Sequence, residues 1–257
     1  MRAYVVDAFT DAPFHGNPAG VVLLDAPADP EWMQSVAAEL KHSETAFVDT
    51  SVAGTEPKPL RWFTPTTEVD LCGHATLAAA HVLGGSQRFT TRSGILTCTA
   101  RADGMIELDF PADPTTPAEA PSELTAGLPG VTIRQVCRGR TDLLVELDSA
   151  EEVRGVRPDF TALAELPVRA VIVTARGERD NAIVSRVFAP AVGIPEDPVT
   201  GSAHCTLATW WQQRLGATEL DAEQASERGG ALQVRLASDR VLIAGRAVTV
   251  LAGDLHA

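Results

Sequence analysis

The chain of 257 residues carries a formal net charge of −13, with 45% hydrophobic and 21% charged residues. That charge disfavours nucleic acids and anionic membrane surfaces, which are held by clustered Lys and Arg, and no apolar run of about 18 residues offers a membrane span. The opening Met1-Arg-Ala-Tyr-Val-Val-Asp-Ala-Phe9 turns acidic too early for a secretory signal. The expectation is a cytoplasmic protein with enough apolar content for two modest domains.

The first element with a chemical reading is the turn His15-Gly16-Asn17-Pro18-Ala19-Gly20. Its Gly and Pro content suffices to explain a turn, and Asn17 is a secondary candidate because such loops often line sites. Asp29 followed by Pro30 reads as N-cap and N1 of an amphipathic helix running to about Lys41. Directly after it, in His42-Ser-Glu-Thr-Ala-Phe-Val48, Thr45 to Val48 reads as a strand that Glu44 opens. A carboxylate at the mouth of a buried strand is partly desolvated, which raises its pKa and makes it a usable base near neutrality.

The segment Asp70-Leu-Cys-Gly-His-Ala-Thr76 enters a helix from about His74 to Leu83, whose scarcity of charge predicts burial on nearly every face. The unpaired N–H groups and partial positive charge of its first turn favour a carboxylate, and Gly73 lets a ligand approach the backbone. His74, just inside that turn, could donate or receive a proton. A hairpin is expected around Asp103-Gly104. Four prolines in the eleven residues from Pro111 to Pro121 disfavour helix and ladder alike and mark a linker.

In the second half, Val168-Arg-Ala-Val-Ile-Val173 corresponds to the stretch around Glu44 but holds no carboxylate, so a mirror-image two-base mechanism is not encoded. Asp197-Pro-Val-Thr-Gly-Ser-Ala203 is a second glycine-entered start, leading into a buried helix from about Ala203 to Leu215. Asp197, Thr200 and Ser202 would also serve as simple capping and turn residues. Another hairpin is expected near Ser238-Asp239. The four cysteines, Cys72, Cys98, Cys137 and Cys205, form no CxxC pair, so neither a disulfide framework nor a zinc site is supported. Only Cys72 has neighbours that invite chemistry. No nicotinamide or P-loop fingerprint is present.

The chain also repeats itself once. Arg61-Trp-Phe-Thr-Pro65 resembles Arg186-Val-Phe-Ala-Pro190 at an offset of 125, and Cys72-Gly-His-Ala75 matches Thr200-Gly-Ser-Ala203 at 128. Gly94 to Asp103 parallels Gly230 to Asp239 at 136, and Val21-Val-Leu-Leu-Asp25 pairs loosely with Leu144-Val-Glu-Leu-Asp148 at 123. Offsets that grow along the chain are what a duplication with small insertions produces. A register of 130, setting His74 against His204, competes with 128; the glycines favour 128. The division expected from this is a domain over 1–112, a linker over 113–126 and a second domain over 127–257.

Taken together, Asp7-Ala-Phe-Thr10, Gly16-Asn-Pro-Ala-Gly20, Ser43-Glu-Thr-Ala-Phe47, Arg61-Trp-Phe-Thr-Pro65, Cys72-Gly-His-Ala-Thr76, Glu196 to His204 and the closing Gly245 to Gly253 resemble the PhzF-like phenazine-biosynthesis isomerases, relatives of diaminopimelate epimerase. The resemblance implies an α+β fold of two similar domains, each a highly curved, mostly antiparallel sheet around a central buried helix, with the active site between them. It also implies a homodimer working without metal or organic cofactor on a small-molecule carboxylate. Glu44 would be the acid/base, with His74, Asp197 and Ser202 orienting the substrate and assisting proton movement. Gly73, Gly201 and Ser202 would supply backbone N–H contacts, with Asn17, Cys72 and Thr200 lining the site. Epimerase relatives use a cysteine in each half; Cys72 matches the first position, but the second is Thr200, which disfavours a two-thiol racemase. Epimerisation, lyase chemistry at the same site, or ligand binding without turnover are the alternatives.

Overall fold

The structure, a computed structural model, describes residues 1–51 and 57–256. In chain order the first half gives β1 (Arg2–Ala8), β2 (Asn17–Leu24), α1 (Pro30–Leu40), β3 (Glu44–Asp49), β4 (Lys58–Phe63), β5 (Glu68–Val69), α2 (Gly73–Leu83), β6 (Gln87–Thr91), β7 (Gly94–Ala100) and β8 (Ile106–Pro111). The second half gives β9 (Thr116–Pro117), α3 (Ser122–Gly127), β10 (Ile133–Arg138), β11 (Leu143–Leu147), α4 (Ala150–Gly155) and α5 (Phe160–Ala164). It continues with β12 (Val171–Arg176), β13 (Ala182–Ala189), β14 (Ile194–Asp197), α6 (Gly201–Leu215), β15 (Leu220–Gln224), β16 (Gly230–Ala237), β17 (Arg240–Gly245) and β18 (Ala247–Asp254).

The strand pairings show the duplication directly. In one unit β1–β2 is antiparallel, β2–β3 parallel, β3–β4 antiparallel, β4–β6 parallel and β6–β7 antiparallel. In the other, β10–β11, β11–β12, β12–β13, β13–β15 and β15–β16 follow the same order and the same senses. The short strands β5 and β14 pair antiparallel with β4 and β13 just before α2 and α6. Mixed sheets with few helices make this an α+β architecture.

The chain divides differently from the expected 1–112, 113–126 and 127–257. One unit is Met1–Asp109 together with the segment from Ala244 onward, and the other is Phe110–Ile243. The C-terminal strand β18 returns to pair antiparallel with β1, while β9, within the stretch read as a linker, pairs with β10. The first unit thus takes its terminal strand from the end of the second half's sequence. Pro117 sits in a two-residue strand at a sheet edge, where a missing N–H is tolerated.

Burial follows composition. Seven consecutive residues of α2, His74 to Ala80, are buried, and α2 packs against β1, β2, β3 and β18. The alanines let the strands approach closely, so a helix without a polar face becomes the centre of its unit. On the opposite side α1 lays Met33, Val36 and Ala37 against Val22, Leu24, Phe47 and Phe63. It starts where the sequence indicates, with the Asp29 side chain accepting from the Glu31 N–H, and ends at Lys41 in the left-handed conformation. In the second unit α4 and α5 bring Val153 and Leu163 onto the sheet residues Val145, Val173 and Phe188. No helix among the described residues is long and apolar enough to cross a membrane.

Candidate active site

In the first unit the structure brings Asn17, Glu44, Cys72 and His74 together. Asn17 opens β2 and is fully buried, and its placement depends on Gly16, whose φ is +64° and whose missing Cβ would lie 2.1 Å from the Ala8 carbonyl oxygen. Gly16→Ala is therefore expected to destabilise by about 1–3 kcal/mol and to displace Asn17, read as a lowered thermal midpoint with perturbed His74 imidazole resonances. Glu44 opens β3 opposite Ala19, and Cys72 is the N-cap of α2, with Gly73 and His74 forming its first turn.

The hydrogen bonds decide how His74 is poised. Ser43 Oγ donates to Asn17 Oδ1 at 3.3 Å, which turns the Asn17 amide nitrogen toward His74 Nδ1, also 3.3 Å away. An amide nitrogen only donates, so Nδ1 accepts and the neutral imidazole carries its proton on Nε2. That nitrogen lies 3.3 Å from Ser43 Oγ and 3.4 Å from Glu44 Oε2. His74 therefore presents a proton toward the carboxylate of Glu44, whose side chain is 16% exposed and so within reach of a ligand. Cys72 Sγ approaches Nδ1 at 3.6 Å.

Glu44, Cys72 and His74 place three potential ligand atoms within 4.8 Å of one another. Cys72 and Glu44 sit at opposite edges of the imidazole, however. One ion on a single ring nitrogen would have to draw one of them around the ring, whereas proton transfer uses the arrangement as it stands.

The second unit holds Asp197, Thr200, Gly201 and Ser202 at the start of α6. The Thr200 hydroxyl donates to Asp197 Oδ2 at 2.6 Å, and Gln224, fully buried, ties down the loop. Its Oε1 accepts from the Thr200 N–H at 2.8 Å and its Nε2 donates to the Asp197 carbonyl at 2.7 Å. Neither Cys72 nor Thr200 closes its helix with its own side chain, and neither first turn holds an acidic residue, while the turn-bracing role read for Asp197 and Thr200 is present in their mutual bond. Both first turns thus keep their attraction for a carboxylate. A cavity of about 660 Å³ elsewhere in this unit, lined by residues including Cys137, Trp210 and Arg214, includes none of the candidates.

The N-cap positions also settle the register of the repeat. Helix α2 begins at Gly73 after Cys72 and α6 at Gly201 after Thr200, so the offset is 128 and His204 corresponds to Thr76. Each of these two bonds back to its N-cap carbonyl, Thr76 through Oγ1 to Cys72 and His204 through Nδ1 to Thr200 at 2.8 Å. Burial holds His204 well below its ordinary value, at about 4. Because the unfolded chain takes up the proton first, stability is expected to fall by about 2 kcal/mol as pH drops from 6.5 to 5. Denaturation midpoints across that range should lose this slope in His204→Gln. The thiols of Cys98 and Cys205 are pushed up to about 12 by burial, which leaves them inert.

Sequence reasoning missed four groups that shape these clusters: Ser43 as a bonding partner, Gln224, Asp142 and Arg169. Gln224 joins the loop from 24 residues away and leaves no local signal. Arg169 could have been found from the repeat itself. Thr45 pairs with Phe63 and Val171 with Phe188, which places Ala170 where Glu44 stands and Arg169 where Ser43 stands.

The fold, an α+β arrangement of mixed sheets built on a duplicated strand order, is found in other solved structures. A solved structure described as a probable proline racemase from Agrobacterium radiobacter shares it, with a TM-score of 0.62 at 12% identity over 99% of this chain and 92% of that one. The family model of phenazine biosynthesis-like proteins, PhzC-PhzF, matches residues 6–253, and the chain belongs to that family. A Pseudomonas aeruginosa protein named an uncharacterized isomerase is 53% identical over all of this chain and 98% of its own length. The crystal structure of a PhzF-family protein from Enterococcus faecalis superposes with a TM-score of 0.93 at 41% identity, covering 100% of this chain and 99% of that one.

Proposed function

We propose that this protein is a cofactor-independent isomerase that takes a proton from one carbon of a small carboxylated substrate and returns it to another, with Glu44 as the base. The observation that carries the reading is the poise of His74, whose Nε2 proton faces Glu44 at 3.4 Å while Asn17 holds Nδ1 as an acceptor. Glu44 removes the C–H proton, the electron pair delocalises into the adjacent unsaturation, and the Glu44 carboxyl, which exchanges its proton with solvent during turnover, returns one at the far end, so atoms balance without an oxidant or reductant. His74 supports the carboxylate in both protonation states. A second carboxylate would permit a two-base mechanism, but Ala170 occupies the corresponding position.

The substrate class we assign is a cyclic or dihydroaromatic acid resembling an amino acid, for whose carboxylate the candidate contacts are Gly73 in the first unit and Gly201 and Ser202 in the second, the latter shaped by Asp197 and Thr200. The two-thiol racemase reading is disfavoured because Thr200, which stands where the second thiol would be, spends its hydroxyl on Asp197. The working form in this reading is a cytoplasmic homodimer, which light scattering of the purified protein tests. The deciding experiment incubates the protein in D2O with a panel of such acids and follows mass and double-bond position. Deuterium uptake with a rearranged double bond is the expected result. Uptake with inversion and no rearrangement would replace isomerisation by epimerisation, and no uptake from any acid would reject the enzyme.

A further inference from the structure

The strand register that puts Ala170 in the place of Glu44 puts a guanidinium, Arg169, in the place of Ser43, and Ser202 in the place of His74. The contact between these positions is retained. Ser43 Oγ lies 3.3 Å from His74 Nε2, and Arg169 Nη2 donates to Ser202 Oγ at 3.2 Å. Arg169 is clamped by two parallel bonds to Asp142, from Nε to Oδ1 at 2.9 Å and from Nη2 to Oδ2. Asp142 is 2% exposed, and its Oδ1 also accepts from the Thr141 hydroxyl at 3.0 Å. Where one half carries a base, the other carries a braced cation.

A guanidinium can only donate, so Ser202 Oγ must accept from Arg169 and its own O–H proton points elsewhere. Ser202 is exposed in the first turn of α6. Resting on the isomerase reading above, we propose that Arg169 is a positioning residue: held by Asp142, it fixes Ser202 as a hydroxyl donor to the substrate carboxylate. The assignment separates the duties of the halves, since Ser202 then binds and does not abstract a proton from carbon.

The test is steady-state deuterium exchange by the full-length protein with whichever acid of the panel the parent protein exchanges fastest, in Arg169→Lys, Ser202→Ala and the double variant. Lysine keeps the charge beside Asp142 but lacks the planar fork that reaches both Asp142 oxygens and Ser202 together. Arg169→Lys is expected to raise KM about tenfold with kcat changed less than threefold, as is Ser202→Ala. The double variant should be no worse than Ser202→Ala alone, because both changes remove one device. An unchanged KM in Arg169→Lys, or effects that multiply in the double variant, overturns the proposal while leaving the isomerase standing. If Arg169→Lys does not fold, Asp142→Asn, which weakens only the brace, carries the same expectations. A parent protein that exchanges no acid rejects the isomerase reading and this inference with it.

Discussion

Replacing Glu44 by Gln is expected to lower deuterium exchange into substrate by about a thousandfold while leaving the thermal midpoint within a few degrees of the parent. The chemical loss follows from the contribution of a positioned general base, about 10²- to 10⁴-fold, with no carboxylate at the corresponding position of the other half to substitute. The structural neutrality follows from the bond Glu44 makes. It accepts from the Nε2 proton of His74, and a glutamine Oε1 accepts from the same proton at the same distance. The network of Ser43, Asn17 and His74 is therefore kept. Hydrogen–deuterium exchange by mass spectrometry with the best acid of the panel reads the first effect, and calorimetry the second. Retention of more than a tenth of the parent rate would move the base elsewhere, with Cys72 and His74 the next groups to replace.

The second large effect is structural and uses the repeat as its own control. Arg61 and Arg186, the first residues of the matched motifs, each make a bidentate pair with a glutamate that follows, Glu68 at 2.7 Å and Glu196 at 2.8 Å. Each guanidinium also lies over the phenylalanine two residues on, at 5.2 Å from Phe63 and 5.0 Å from Phe188. These braces hold the short hairpins that lead into α2 and α6. The Arg61 guanidinium keeps the carboxyl of Glu68 below the usual carboxylate range.

The two copies differ in burial. Arg186 is 10% exposed and also donates to the Val156 carbonyl at 2.8 Å, so Arg186→Ala strands a carboxylate and a backbone acceptor away from water. The expected loss is about 3–5 kcal/mol. Arg61 is 30% exposed, and Glu68 retains Arg92 at 2.5 Å when Arg61 is removed, so Arg61→Ala should lose no more than about 2 kcal/mol. Urea denaturation of the two variants measures both. Equal losses would mean that burial does not set the worth of this brace.

Much of the architecture was legible in the residues themselves. The Asp29-Pro30 start of α1, the two charge-poor helices after glycine and the turn at Asp103-Gly104 are local signals, written by capping, hydrophobic periodicity and turn chemistry within a few residues. The repeat was legible for a related reason: the motifs at 61 and 186 and at 72 and 200 hold the same arginine–glutamate brace and the same helix entry, so the same residue types recur. Glu44, His74 and Ser202 could be named from where they stand in these motifs.

What only the tertiary structure decided depends on contacts between segments distant in sequence. That β18 completes the sheet begun by β1 is a pairing across some 250 residues, and nothing in either strand states its partner. The tautomer of His74 is set by Asn17, 57 residues away, and the lone-pair direction of Ser202 by Arg169, 33 residues away. Local chemistry chooses which side chains are available; the direction of a proton on each is settled by whichever donor or acceptor the fold brings against it.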